Sequence, residues 1–111
     1  MKLFILFVFG ASLLVGQTTH VVTLNWTDTL NPATGTTYSV YRATGLCSGT
    51  PVFAKIATAI TAKTYDDTTV GPGNLCYVVT ATVQGVDSPQ SPTASAAVPS
   101  FAPTALTVTV K

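Results

Sequence analysis

The sequence predicts a small all-β sandwich, and three observations carry that prediction. Short runs of alternating apolar and polar residues recur at intervals of about 8–12 residues, with Gly, Pro, Asn and Asp gathered between them. No stretch repeats its apolar residues at the helical period. Thr and Val are abundant and Glu is absent, so the chain favours half-buried pleated strands over helices. With 111 residues there is room for one core.

The elements follow in order. In "HVVTLNW" (20–26), Val22, Leu24 and Trp26 share one face and Val21, Thr23 and Asn25 the other, as in a strand with one buried side. "TDTLNPATGTT" (27–37) is a loop by its turn residues. "YSVYRA" (38–43) sets Tyr38, Val40 and Arg42 against Ser39 and Tyr41, and "TGLCSGTP" (44–51) is a second loop. "VFAKIATAI" (52–60) is a further strand, or two with a break, and "KTYDDTTV" (63–70) a polar-edged strand that runs into the "GPG" turn. "LCYVVTATV" (75–83) is the longest β run: Leu75, Tyr77, Val79 and Ala81 face one way, Cys76, Val78, Thr80 and Thr82 the other. "QGVDSPQSP" (84–92) reads as a loop and "TASAAV" (93–98) as a weak last strand that Pro99 stops.

Both ends stand apart. Met1 and Lys2 open a run, Leu3 to Val15, that is almost unbroken in apolar residues; it reads as a secretory signal over residues 1–16, cleaved near Gly16. At about 13 residues the run is shorter than the roughly 20 that span a bilayer, so a membrane role is expected only during export; an uncleaved membrane anchor is the rival reading. The domain proper is then 17–98. Residues 99–111 form a Pro-containing linker and an additional strand, in which Leu106, Val108 and Val110 alternate with Thr107 and Thr109. A bare alternating strand is an aggregation hazard unless paired; residues 104–110 are expected to cover an open edge of the sandwich or to support self-association by strand addition.

Charge narrows the partners. Without residues 1–16, Arg42, Lys55, Lys63 and Lys111 balance Asp28, Asp66, Asp67 and Asp87. No basic face for nucleic acid can be assembled from four scattered cations.

Taken in order, "HxVxLxW", "YxVYR", "TYxDxTV", "PGxxxYxVTA" and "GxxSxxS", at His20–Trp26, Tyr38–Arg42, Thr64–Val70, Pro72–Ala81 and Gly85–Ser91, resemble the fibronectin type III domain in its bacterial extracellular form. The resemblance covers roughly residues 19–98. It implies an immunoglobulin-like Greek-key β-sandwich of about seven strands, with Leu24, Trp26, Tyr38, Val40, Leu75, Tyr77, Val79 and Ala81 in the core. Two departures stand out. The family's first strand is short or missing once the signal is removed, and Leu75 stands where the family usually has a corner tyrosine, so that hydroxyl's hydrogen bond must be replaced or forgone.

Two cysteines in a small secreted domain are most simply a disulfide. In the implied topology Cys47 follows the third strand and Cys76 opens the sixth, its antiparallel neighbour, so the two meet at one end of a sheet. Pairing them closes a loop of about 30 residues, worth roughly 3–4 kcal/mol in the chain-entropy model.

Catalytic chemistry finds little support. His20 is the only histidine, at a strand edge where solvation is its ordinary fate. Ser88 and Ser91 sit in a Pro-rich loop without a nucleophile elbow or a nearby base. Adjacent Asp66 and Asp67 point to opposite sides of a strand and cannot act together; turn and edge solvation is their ordinary role. Asn25-Trp26-Thr27 matches the N-glycosylation pattern but lies within a strand. No metal site or cofactor is expected. The function expected is therefore a secreted, non-catalytic binding, adhesion or display module with a protein or glycan ligand. The alternatives are a self-assembling structural subunit that uses the C-terminal strand, and an accessory carbohydrate-binding module. Tyr41 and Val78, outward on the larger sheet, are the candidate surface contacts, against the more ordinary reading that they pack beneath the disulfide or a crossing loop; loops 27–37, 44–51 and 84–92 carry the remaining binding potential.

Overall fold

The computed structural model describes residues 3–10, 19–103 and 105–110. Among them are eight strands and no helix: β1 (Leu3–Gly10), β2 (His20–Asp28), β3 (Thr36–Thr44), β4 (Ala54–Ile60), β5 (Thr64–Val70), β6 (Gly73–Val83), β7 (Val86–Asp87) and β8 (Ala94–Val98). One sheet has the order β1-β2-β5; the other runs β4-β3-β6, with β7 and β8 following one another along the far side of β6. All pairs are antiparallel.

The alternation in β2 buries Val22, Leu24 and Trp26, which meet Tyr38 and Val40 of β3, Leu75, Tyr77, Val79 and Ala81 of β6, and Ala96 and Val98 of β8 in one core. Trp26 and Tyr38 pack edge to face across the sandwich, ring centroids 5.3 Å apart. The break in "VFAKIATAI" is a bulge: β3 pairs Tyr38 with Ile60 and Val40 with Ala57, leaving two β4 residues opposite one, and Ala59 takes a positive φ of 56°.

Both ends of the chain bear on the edge of β2. The first-strand position is filled, because Leu3–Gly10 lies on β2 with Leu3 opposite Asp28 and Gly10 opposite Val21. An apolar run of this composition satisfies its backbone by pairing with the otherwise bare edge of β2; the expected cleavage point near Gly16 lies outside the described residues. At the other end, residues 105–110 form no strand.

The segment 84–92 differs from the expected loop. Gln84 and Gly85, both with positive φ (50° and 77°), make the two-residue turn of a tight hairpin that pairs Val83 with Val86. Beyond it, two Ser-Pro pairs continue the edge. Ser88 N–H donates to the Ala81 carbonyl at 2.8 Å, and Ser91 N–H to that of Val79 at 2.9 Å. Their hydroxyl oxygens accept the Ala81 and Val79 N–H groups, each at 2.9 Å. Proline cannot complete a ladder; each serine supplies both halves of the missing pairing, so this segment is an irregular strand.

Candidate functional site

Two aspartates organise the polar interior. Asp67, on β5, is 1 % exposed and accepts at Oδ2 from the Tyr77 hydroxyl of β6 (2.8 Å) and from Arg42 Nη1 of β3 (2.8 Å). Its Oδ1 accepts from the Thr69 N–H and hydroxyl at 3.2 and 2.9 Å. Asp28, at the end of β2, accepts at Oδ2 from the Tyr38 hydroxyl of β3 (2.9 Å) and Asn31 Nδ2 (2.7 Å). Its Oδ1 receives the Leu30 and Asn31 N–H groups at 3.2 and 3.1 Å, which pins the first turn of the following loop. Each tyrosine thus crosses from one sheet to a carboxylate on the other.

Burial works against both carboxylate charges, yet the donors prevail and hold Asp28 and Asp67 below the usual range. Burial first, and then the partner aspartate, raises Tyr38 to about 12 and pushes Tyr77 up as well. A carboxylate kept charged and a phenol kept neutral do not exchange protons near neutrality. These groups tie the sheets together and are not poised for acid–base chemistry.

The location of Asp67 corrects the expectation of edge solvation; only Asp66 behaves that way, accepting from the exposed Thr23 hydroxyl at 2.8 Å. Leu75 lacks the corner hydroxyl, and the Tyr77 hydroxyl two residues along the same strand bonds the Asp67 carboxylate rather than backbone. His20 is buried rather than solvated, its ring stacked on Phe101 at 4.4 Å between centroids.

Cys47 and Cys76 form a disulfide with Cα atoms 5.2 Å apart. Leu24, Trp26, Tyr38, Val40, Leu75, Tyr77, Val79 and Ala81 all lie in the core. Val78 is 1 % exposed and so is not a surface contact: it sits on the outer side of β6 between the neighbouring strands, opposite Tyr41 and two residues from the Cys47–Cys76 bridge. Tyr41 is half-buried, and the Lys55 ammonium stands 5.7 Å from its ring centroid, so the two do not form an open aromatic platform.

The loops divide between two poles. At the first, where Thr44 pairs with Leu75, the disulfide loop adjoins the β5–β6 turn, and a cleft of about 300 Å³ is lined by Arg42, Thr44, Thr69, Pro72 and Asn74 among others. At the second, where Thr36 pairs with Val83, loops 27–37 and 84–92 come together around a cleft of about 230 Å³ lined by Asn31, Ala81, Val83, Val86, Asp87 and Ser88. Leu30 (57 % exposed) stands in one of these loops and Val86 (71 % exposed) in the hairpin that borders the other. Polar groups here are largely held by one another: the Thr82 hydroxyl donates to Asp87 at 2.6 Å and Ser88 is tied to β6. Exposed apolar side chains beside a small cleft suit a protein surface better than a charged small molecule.

Sequence reasoning missed both tyrosine–aspartate ties and the role of the serines. The signals were present as Tyr38 and Tyr77, each ten residues after an Asp, and as the Ser-Pro pairs at 88–89 and 91–92. Among the described residues no group of three or more His, Cys, Asp or Glu could hold a metal ion.

No protein-family model matches the chain, and no curated protein does. Among solved structures it is similar to an Fn3-like protein from Clostridium thermocellum, with 36 % sequence identity and a TM-score of 0.56 over 74 % of this chain and 80 % of that one.

Proposed function

The chain belongs to the fibronectin type III-like family, and from that premise we propose that it is a secreted, non-catalytic module that binds another protein at a cell envelope or surface. The fold is one of binding or structural modules and is typically non-catalytic. A disulfide in a small domain is consistent with an extracellular location, and the apolar run at residues 3–15 supports export.

The observation that carries the binding reading is the pole shared by loops 27–37 and 84–92. There Leu30 and Val86 stay in solvent beside a cleft whose polar neighbours are already engaged, Asp87 by the Thr82 hydroxyl and Ser88 by the Ala81 N–H. Photocrosslinking side chains placed at Leu30 and at Val86 in producing cells test it. A discrete adduct from these positions, and none from Thr50 at the opposite pole, is the expected result; no adduct, or equal adducts from all three, overturns it. Labelling of intact cells with an antibody against the sandwich tests export separately, because signal that appears only after lysis contradicts it.

A second reading, a structural subunit that assembles through its C-terminal segment, has its own support: Leu106, Val108 and Val110 are 88, 79 and 90 % exposed. A carbohydrate-binding role draws less, since Tyr41, its candidate aromatic, lies under Lys55.

A further inference from the structure

Strand β1 occupies the edge of β2 from Val21 to Asp28. β1 is drawn from the run that reads as a secretory leader, and removal of a leader near Gly16 takes Leu3–Gly10 with it. β2 is then paired to β5 on one side only. Its other edge is bare from Val21 to Asp28, beside the core residues Val22, Leu24 and Trp26. A bare edge beside a core is a template for another strand.

The segment that fits lies close at hand. Its apolar residues alternate with threonines and are the most exposed large side chains of the tail. Its root is already fixed at the right spot: the chain leaves β8 at Val98, and three residues later the Phe101 ring is stacked on His20, the first residue of β2, with the planes 4° apart. Six extended residues reach about 20 Å, so 105–110 match the length of Val21–Trp26. β8 runs toward the pole at which β2 starts. A tail that turns back there travels parallel to β2, whereas β1 is antiparallel to it. Parallel pairing is slightly weaker per residue, but the tether gives the segment an effective concentration on the order of millimolar or above, ahead of a second copy in dilute solution.

We propose that, once the leader is removed, residues 105–110 take the vacated edge of β2 in the same molecule as a parallel strand, with Leu106, Val108 and Val110 turned toward the core. This rests on the leader reading. The full-length chain is exported from a bacterial host, and the product is examined by intact mass, light scattering and hydrogen–deuterium exchange. The expected result is a monomer lacking residues 3–10 whose amides at 105–110 exchange roughly tenfold or more slowly than in an unstructured chain. The paired variant Leu106→Asp with Val108→Asp abolishes that protection. A cleaved monomer with unprotected tail amides overturns the proposal. Protection found only in a tail-dependent dimer overturns it in favour of exchange between copies. A mass that retains residues 3–10 overturns the leader reading itself, and with it the vacancy.

Discussion

The Tyr77 hydroxyl donates to Asp67 Oδ2 at 2.8 Å, joining β6 of one sheet to β5 of the other through a carboxylate that Arg42 also engages at 2.8 Å. Removal of the Tyr77 hydroxyl leaves three donors on Asp67 in place, whereas removal of the acceptor strands all four. Tyr77→Phe is therefore expected to cost about 1–2 kcal/mol. Asp67→Ala is expected to cost about 3–5 kcal/mol, because it leaves a buried tyrosine hydroxyl and a partly buried guanidinium without their acceptor. Urea unfolding of the two variants measures the difference; equal costs contradict the hub role of Asp67.

The same pairs set the pH limits of stability. Asp28 and Asp67 titrate below their unfolded values, so their contribution is present above the ordinary carboxylate pKa and is lost as pH falls through the lowered folded values. Tyr38 and Tyr77 titrate above theirs, so their contribution is present below the ordinary phenol pKa of 10.0 and is lost as pH rises, for Tyr38 through about 12. The midpoint of thermal unfolding should be flat near neutrality and fall on both sides, in acid below the ordinary carboxylate range and in alkali above that of tyrosine. Tyr38→Phe should blunt the alkaline limb, which calorimetry across pH can read.

How much of this was legible in the sequence depended on whether a signal was local. The core strands were legible because alternation is written residue by residue: Val22, Leu24 and Trp26 announce a buried face without knowledge of what covers it. The disulfide followed once a topology was in hand. Asp67 was not legible, since nothing beside it in the sequence distinguishes it from Asp66; its burial depends on Arg42 and Tyr77, which arrive from other strands. Val78 failed for the opposite reason. It lies outside the core cluster, as alternation along β6 predicts, yet it is 1 % exposed, and burial is a property of the assembled sheet. The leader reading of residues 3–10 and their pairing on β2 both follow from one composition, because an apolar β-rich run suits either role.

The Cys47–Cys76 bridge spans 29 residues, and in the chain-entropy model a loop of that length contributes about 3.5 kcal/mol. It staples the β3–β4 loop, which has exposed Leu46 and Val52, to a strand buried on both sides. The double replacement Cys47→Ser with Cys76→Ser, or reduction, should lower the thermal midpoint by about 15 °C while leaving the β-sheet circular dichroism of the folded state intact. An unchanged midpoint contradicts a stabilising role for the bridge.

Ser91 offers the sharpest test of how the irregular edge is held. Its N–H reaches the Val79 carbonyl at 2.9 Å while its hydroxyl oxygen accepts the Val79 N–H at 2.9 Å and donates to the Pro92 carbonyl at 3.0 Å. Val79 is fully buried, so Ser91→Ala leaves a buried N–H without an acceptor and should cost about 1–3 kcal/mol. Ser88→Ala removes the same contact for Ala81, but Ser88 lies more open to solvent, and water can take the vacated position. Its cost should be smaller, below about 1 kcal/mol. Hydrogen exchange separates this account from a general loosening of the edge: in Ser91→Ala the Val79 amide should lose protection more than Ala81, and in Ser88→Ala the order should reverse. If both variants affect the two amides equally, the serines act on the segment as a whole and the residue-by-residue pairing described here does not hold.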